Sequence, residues 1–148
     1  MIIRKAVDED LEQILTLYQF LFSEEDYSII GSFKEKWASI LNHDGLTYFV
    51  AIDKDRIVAS CNISITPNLS RGKKSYALIE NVITHPEHRQ RGYGRAVIEK
   101  AIDLAQRESC YKVMLLSTAS DDRSVAHKFY ENLGFDGDSK RGFHIRFR

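Results

Sequence analysis

Three features of the chain point to a single mixed α/β (α+β) domain: a composition that supports one core, two strand-like runs joined by a polar turn, and amphipathic helical segments before and after them. The 148 residues match the size of one compact domain. Hydrophobic residues at 43% and charged residues at 28% are typical of a folded globular protein rather than a disordered or fibrous one.

Ile2 to Ala6 is short and apolar enough for a first strand, and Asp8 then offers a side-chain cap to a helix. Its apolar residues fall at Leu11, Ile14, Leu15, Tyr18, Leu21 and Phe22. A second helix covers about Phe33 to Leu41, with Phe33, Trp37, Ile40 and Leu41 on one side and Lys34, Glu35 and Lys36 on the other.

Leu46 to Ile52 and Ile57 to Ile65 are rich in β-branched and aromatic residues and flank Asp53-Lys54-Asp55-Arg56, which predicts a hairpin. Pro67 to Lys74 reads as a polar loop, and Tyr76 to Thr84 as a strand closed by His85-Pro86. From Gly94, Val97, Ile98, Ala101, Ile102 and Ala105 follow helical spacing. Val113 to Ser117 suits a strand buried on both faces. A further helix puts Ala126, Phe129, Tyr130 and Leu133 on one side and stops at Gly134. Phe143, Ile145 and Phe147 alternate with His144, Arg146 and Arg148, which predicts a terminal strand with one polar face. No repeat or Pro/Gly-rich linker interrupts this order, so residues 1–148 are expected to form one domain.

Lys plus Arg equal Asp plus Glu at 21 each, so no overall field draws in nucleic acid, and no such partner is expected. Cys61 and Cys110 lack the number of a disulfide scaffold and the spacing of a zinc site. His85, Glu87 and His88 have no third well-spaced partner, so no metal is expected. The N-terminus turns acidic at Asp8-Glu9-Asp10, without the apolar stretch of a signal peptide. No run approaches the roughly 18 apolar residues of a membrane span. A cytoplasmic protein without a membrane partner is the expectation.

The most informative segment is Arg89-Gln90-Arg91-Gly92-Tyr93-Gly94-Arg95, between a strand and a helix. Glycines at such a turn let backbone N–H groups converge on an anion, and the following helix adds free amides with partial positive charge. Arg89, Arg91 and Arg95 bring local charge suited to several phosphates. A plain glycine turn with solvated arginines is the alternative. A dinucleotide turn is disfavoured because Val97 stands where its third glycine belongs, and a P-loop because no Gly-Lys-Ser/Thr follows.

Arg89-x-x-Gly92-x-Gly94, preceded by Val82-Ile83-Thr84 and a His/Pro turn, resembles the first signature of the GNAT superfamily of N-acetyltransferases. Ala126-x-x-Phe129-Tyr130-Glu131-x-x-Gly134-Phe135 resembles the second, and Val7-Asp8-Glu9-Asp10-Leu11 the usual family opening, so the likeness spans essentially the whole chain. Leu116-Ser117-Thr118 followed by Arg123 is similar to small-molecule members such as the aminoalkylphosphonate acetyltransferases. Arg123 departs from the Asn that many members use to contact the cofactor.

The resemblance implies a mostly antiparallel, splayed mixed sheet flanked by helices, with acetyl-CoA as cosubstrate and no metal. Main-chain groups of Val82, Ile83 and Thr84 would pair with the pantetheine arm. Amides of Arg91, Gly92, Tyr93, Gly94 and Arg95 would hold the pyrophosphate, with Arg89, Gln90, Ser117 and Arg123 completing the cofactor contacts. The acceptor would be a primary amine of a small molecule. A protein or peptide acceptor, and a non-catalytic acyl-CoA sensor, remain as alternatives. Family members frequently dimerise, and the terminal strand offers an edge for a homodimer.

An alkylamine has a pKa near about 10.4 and must lose a proton before it attacks. The resemblance marks Glu80 as the acid that binds substrate or activates water, against a carboxylate paired with a neighbouring Arg or Lys. Tyr130 matches the position that reprotonates the thiolate, against a packing role beside Phe129 and Leu133. Arg123, Arg141, His144 and Arg146 could line a pocket for an anionic amine or form a solvated basic end.

Overall fold

The computed structural model describes residues 1–118 and 125–147. The chain divides into two compact units, Met1–Met114 and Leu115–Arg148.

In the first unit five strands lie in the order β1 (Ile2–Lys5), β2 (Leu46–Asp53), β3 (Arg56–Thr66), β4 (Tyr76–Thr84) and β5 (Val113–Met114). All neighbours are antiparallel except β4 and β5, which run parallel. The predicted hairpin is present. Lys54 and Asp55 take φ of 47° and 63°, the left-handed pair that a two-residue turn needs to match strand twist.

Both faces of this sheet are covered, so β3 is buried without a break from Ile57 to Ile63. On one face, α1 (Leu11–Tyr18) and α2 (Lys34–Leu41) set Leu11, Ile14, Leu15, Leu17 and Trp37 against Val50 and Ile83. On the other, α4 (Tyr93–Arg107) brings Val97 against the sheet, where the Cys61 thiol donates to the Val97 carbonyl at 3.5 Å. The loop before β4 contains one distorted turn, α3 (Ser70–Lys73), in which Arg71 and Gly72 leave helical geometry.

The start of α1 differs from expectation. Asp8 to Asp10 form a 3-10 turn, and the capping carboxylate is Asp10, which accepts from the Val7 N–H at 2.8 Å. Asp10 reaches back because Arg4 on β1 grips it, which Asp8 on the exposed side cannot match. The helix ends at Tyr18, and Leu21 and Phe22 follow in turns. A 3-10 turn over Ile30–Phe33 leads into α2.

Strand β5 is shorter than expected. Only Val113 and Met114 pair, with Ala77 and Leu78, and both are half-buried rather than enclosed. From Ile79 onward, β4 has no ladder partner on that side among the described residues.

In the second unit, α5 (Val125–Asn132) half-buries Phe129 and Tyr130, whereas Ala126 is exposed. Gly134 at φ 94° ends it, with the Phe135 N–H returning to the Tyr130 carbonyl. The expected terminal strand is absent: Phe143, Ile145 and Phe147 are 88, 81 and 87% exposed, and 141–147 join no ladder among the described residues. Alternation encodes a buried face only where a sheet edge receives it.

Candidate functional site: the β4–α4 turn

Strand β4 carries a bulge where β3 crosses it. Ser60 pairs with Ile83 and Asn62 with Glu80, so two residues of β4, Asn81 and Val82, span one of β3, and Asn81 takes φ 53°. Asn tolerates this left-handed geometry better than most residues, which is the one signal of the bulge in the sequence. Glu80 is exposed immediately before it. Val82 and Thr84 are half-buried, whereas the Ile83 side chain enters the core.

Near the bulge, the face carrying Ser60 holds two buried oxygens, Ser60 Oγ and Tyr18 Oη, with no hydrogen-bond partner among the described residues. Burial, and next the neighbouring Tyr48, pushes the Tyr18 phenol far above its ordinary pKa, so it stays protonated. Neither oxygen was singled out from the sequence, because register alone brings them near the bulge.

Beyond β4 the His85 N–H donates to the Val58 carbonyl at 2.8 Å, and Pro86–His88 make a 3-10 turn. Arg89 returns its Nε to the Thr84 carbonyl at 3.4 Å. Gln90 and Gly92 both take left-handed φ, 60° and 84°. Gly92 caps α4 without a side-chain acceptor, and the Ala96 N–H is bonded to its carbonyl at 3.0 Å. The amides of Tyr93, Gly94 and Arg95 therefore lie in the first turn, where helix geometry offers them no carbonyl. Arg89 and Arg91 are exposed, while Arg95 is engaged with Glu99 at 2.7 Å. An exposed loop of left-handed residues ahead of an uncapped 15-residue helix is suited to an anion.

Residues 9–135 match the family model described as Acetyltransferase (GNAT) family. The chain is a member of that family. It is 36% identical over 80 residues to the glucosamine 6-phosphate N-acetyltransferase of Trypanosoma brucei brucei, a match covering 54% of this chain and 51% of the relative. The chain thus spans about half the length of that curated relative. A solved structure provisionally assigned as an acetyltransferase, from Agrobacterium tumefaciens str. C58, is 41% identical with a TM-score of 0.93, covering 99% of this chain and 100% of that one. A second, titled a transcriptional regulator from Bacillus halodurans C-125, is 29% identical with a TM-score of 0.86, covering 99% of each chain.

Among the residues the family likeness marked, Glu80, Val82 to Thr84 and Arg89 to Arg95 fall along one continuous stretch of the first unit. Ser117 and Tyr130 belong to the second unit. Ser117 is half-buried outside any strand, and the Tyr130 ring stands edge-on to Phe129 at 5.2 Å and Phe135 at 6.0 Å. Arg123 lies outside the described residues. Asp53, which sequence reasoning left out of the site, comes within 3.8 Å of His88 at the start of the Arg89–Gly92 loop; nothing local to Asp53 signals this.

Proposed function

We propose that this chain is an acetyl-CoA-dependent N-acetyltransferase that passes acetyl directly to the primary amine of a small molecule. The observation that carries the proposal is the turn from Arg89 to Gly92, which precedes the uncapped start of α4 at the end of a bulged strand. A CoA pyrophosphate there would accept from the first-turn amides, and the pantetheine arm would run along Val82 to Thr84 as an added strand.

The amine nitrogen attacks the thioester carbonyl carbon, forming the C–N bond as the carbonyl electrons move to oxygen. A backbone N–H near Val82, freed by the bulge, would stabilise that oxyanion. Before this attack Glu80, directly or through one water, takes the proton of the substrate ammonium. Collapse breaks the C–S bond; the departing thiolate takes a proton from Tyr130, and the second proton leaves the attacking nitrogen through solvent, which restores Tyr130.

We read both units as parts of one catalytic domain, since the family model runs across their boundary. No helix among the described residues is long and apolar enough to cross a membrane, and we place the protein in the cytoplasm. A homodimer is retained on family habit. The sugar-phosphate acetyltransferase relative favours an acceptor that carries an anion beside its amine, which Arg123, Arg141, His144 and Arg146 would suit. The relative titled a transcriptional regulator favours a second reading, a CoA sensor without turnover.

The deciding experiment is CoA release from acetyl-CoA across amino sugars, aminophosphonates, polyamines, aminoglycosides and peptides, with CoA binding followed by calorimetry. Turnover with one small-amine class supports the enzyme; turnover on peptides alone moves the acceptor class. Binding without turnover supports the sensor, and absence of CoA binding overturns both.

A further inference from the structure

The loop Arg89–Gly92 is bracketed by His88 and Tyr93, and both side chains meet one carboxylate from a distant hairpin. Asp53 ends β2, just before the left-handed Lys54-Asp55 turn. The His88 Nε2 lies 3.8 Å from Asp53 Oδ2, with the two side chains 15 and 27% exposed. The Tyr93 phenol lies close to the same carboxylate: burial first, and next Asp53, raise its pKa. The His88 and Tyr93 rings stand edge to face at 6.0 Å between centroids, and His85 backs His88 at 5.3 Å. The four loop residues between these two anchors are exposed.

We infer that Asp53 is a positioning residue: through His88 at one end and Tyr93 at the other, it fixes the span of the Arg89–Gly92 loop so that the amides starting α4 converge before a pyrophosphate arrives. This rests on the proposal that the loop binds CoA. The loop carries two left-handed residues and three consecutive exposed side chains, so it holds no single shape by its own packing. A carboxylate beside an anion site would ordinarily repel the ligand; this one faces an imidazole 3.8 Å away and a nearby phenol, which stand between it and the loop. Preorganisation of this kind lowers the ordering cost that binding would otherwise bear.

The test compares CoA with pantetheine, which lacks the pyrophosphate, on wild type, Asp53→Ala, Asp53→Asn and Tyr93→Phe. Kd is read by calorimetry for CoA and by ligand-detected NMR for pantetheine, and amide hydrogen exchange is followed over 89–95. Asp53→Ala is expected to weaken CoA roughly tenfold, about 1.4 kcal/mol, leave pantetheine unchanged and speed exchange across the loop. Asp53→Asn, which keeps the side chain's shape and one oxygen toward Tyr93 but loses its charge toward His88, should fall between. If Asp53→Ala does not fold, Asp53→Asn and Tyr93→Phe carry the same comparison. Equal weakening of both ligands, or unchanged CoA affinity where wild type binds CoA, overturns the inference alone. A wild-type chain that does not bind CoA overturns the functional proposal and the clamp with it.

Discussion

Arg4 and Asp10 form a two-pronged ion pair, with Arg4 Nη1 at 2.6 Å and Nη2 at 3.0 Å from the two carboxylate oxygens, tying the edge strand β1 to the start of α1. The same carboxylate caps the Val7 N–H. Asp10→Ala removes three charge-assisted hydrogen bonds at once. Because Arg4 is 37% exposed, solvent offsets part of that loss. We expect a destabilisation of about 2 kcal/mol in urea titration.

The pair also sets a pH dependence. Burial raises the Asp10 pKa, but Arg4 and the Val7 N–H outweigh it and hold the carboxyl below its ordinary value. A depressed folded pKa stabilises the native state above the unfolded value, about 3.9, and that contribution fades as pH falls through the folded one. Wild type should therefore lose stability more steeply than Asp10→Asn below about pH 4, in thermal melts from pH 6 downward. Parallel curves would exclude Asp10 as a source of acid lability.

The two cysteines should differ in reactivity. Burial alone pushes the Cys61 thiol up to about 12, and its sulfur is held against Val97 in the core. Cys110 is only half-buried, at the end of the turn that closes α4. Iodoacetamide at pH 8 should alkylate Cys110 in the native protein and reach Cys61 only in denaturant, as peptide mass mapping would show. Native labelling of Cys61 would mean that the α4 face opens readily.

The elements legible in the sequence are those whose stability is local or whose partner lies next in the chain. The β2–β3 hairpin, β4 and α4 appeared within a residue or two of their expected bounds, because periodicity and turn residues define them. The terminal alternation over Phe143 to Phe147 misled for the opposite reason, since a strand needs an edge and the pattern does not say which. Within the site, the glycine turn was legible because Gly92 must take left-handed φ. Asp53 was not, since its approach to His88 depends on a hairpin folded 35 residues earlier in the chain.

Gly92 offers a separable test of the turn. Its φ of 84° strains any side chain, yet a Cβ there would meet nothing within 4 Å. Gly92→Ala should therefore fold with a stability loss of about 1 kcal/mol while weakening CoA binding, because relaxing φ swings the Tyr93 amide off its line. Gly31→Ala, equally open but without positive φ, serves as the control and should change neither. Unaltered CoA affinity in folded Gly92→Ala would argue that the pyrophosphate does not use these amides.

Substitutions at Tyr130 and Glu80 would separate the proposed chemistry from binding. Tyr130→Phe keeps the ring that packs edge-on against Phe129 and Phe135 and removes only the hydroxyl, so fold and CoA affinity should be preserved. If that hydroxyl returns the proton to a thiolate whose conjugate acid has a pKa near about 8.5, kcat should fall on the order of 10²-fold, with KM for acetyl-CoA little changed. Glu80→Gln would remove the proposed base instead, so its deficit should shrink as pH approaches the amine's own pKa, where the acceptor is already neutral. A Tyr130→Phe deficit should not shrink that way, because deprotonating the acceptor does nothing for the leaving group. Matching pH profiles for the two variants would mean that one of these residues acts only by holding the other's surroundings in place.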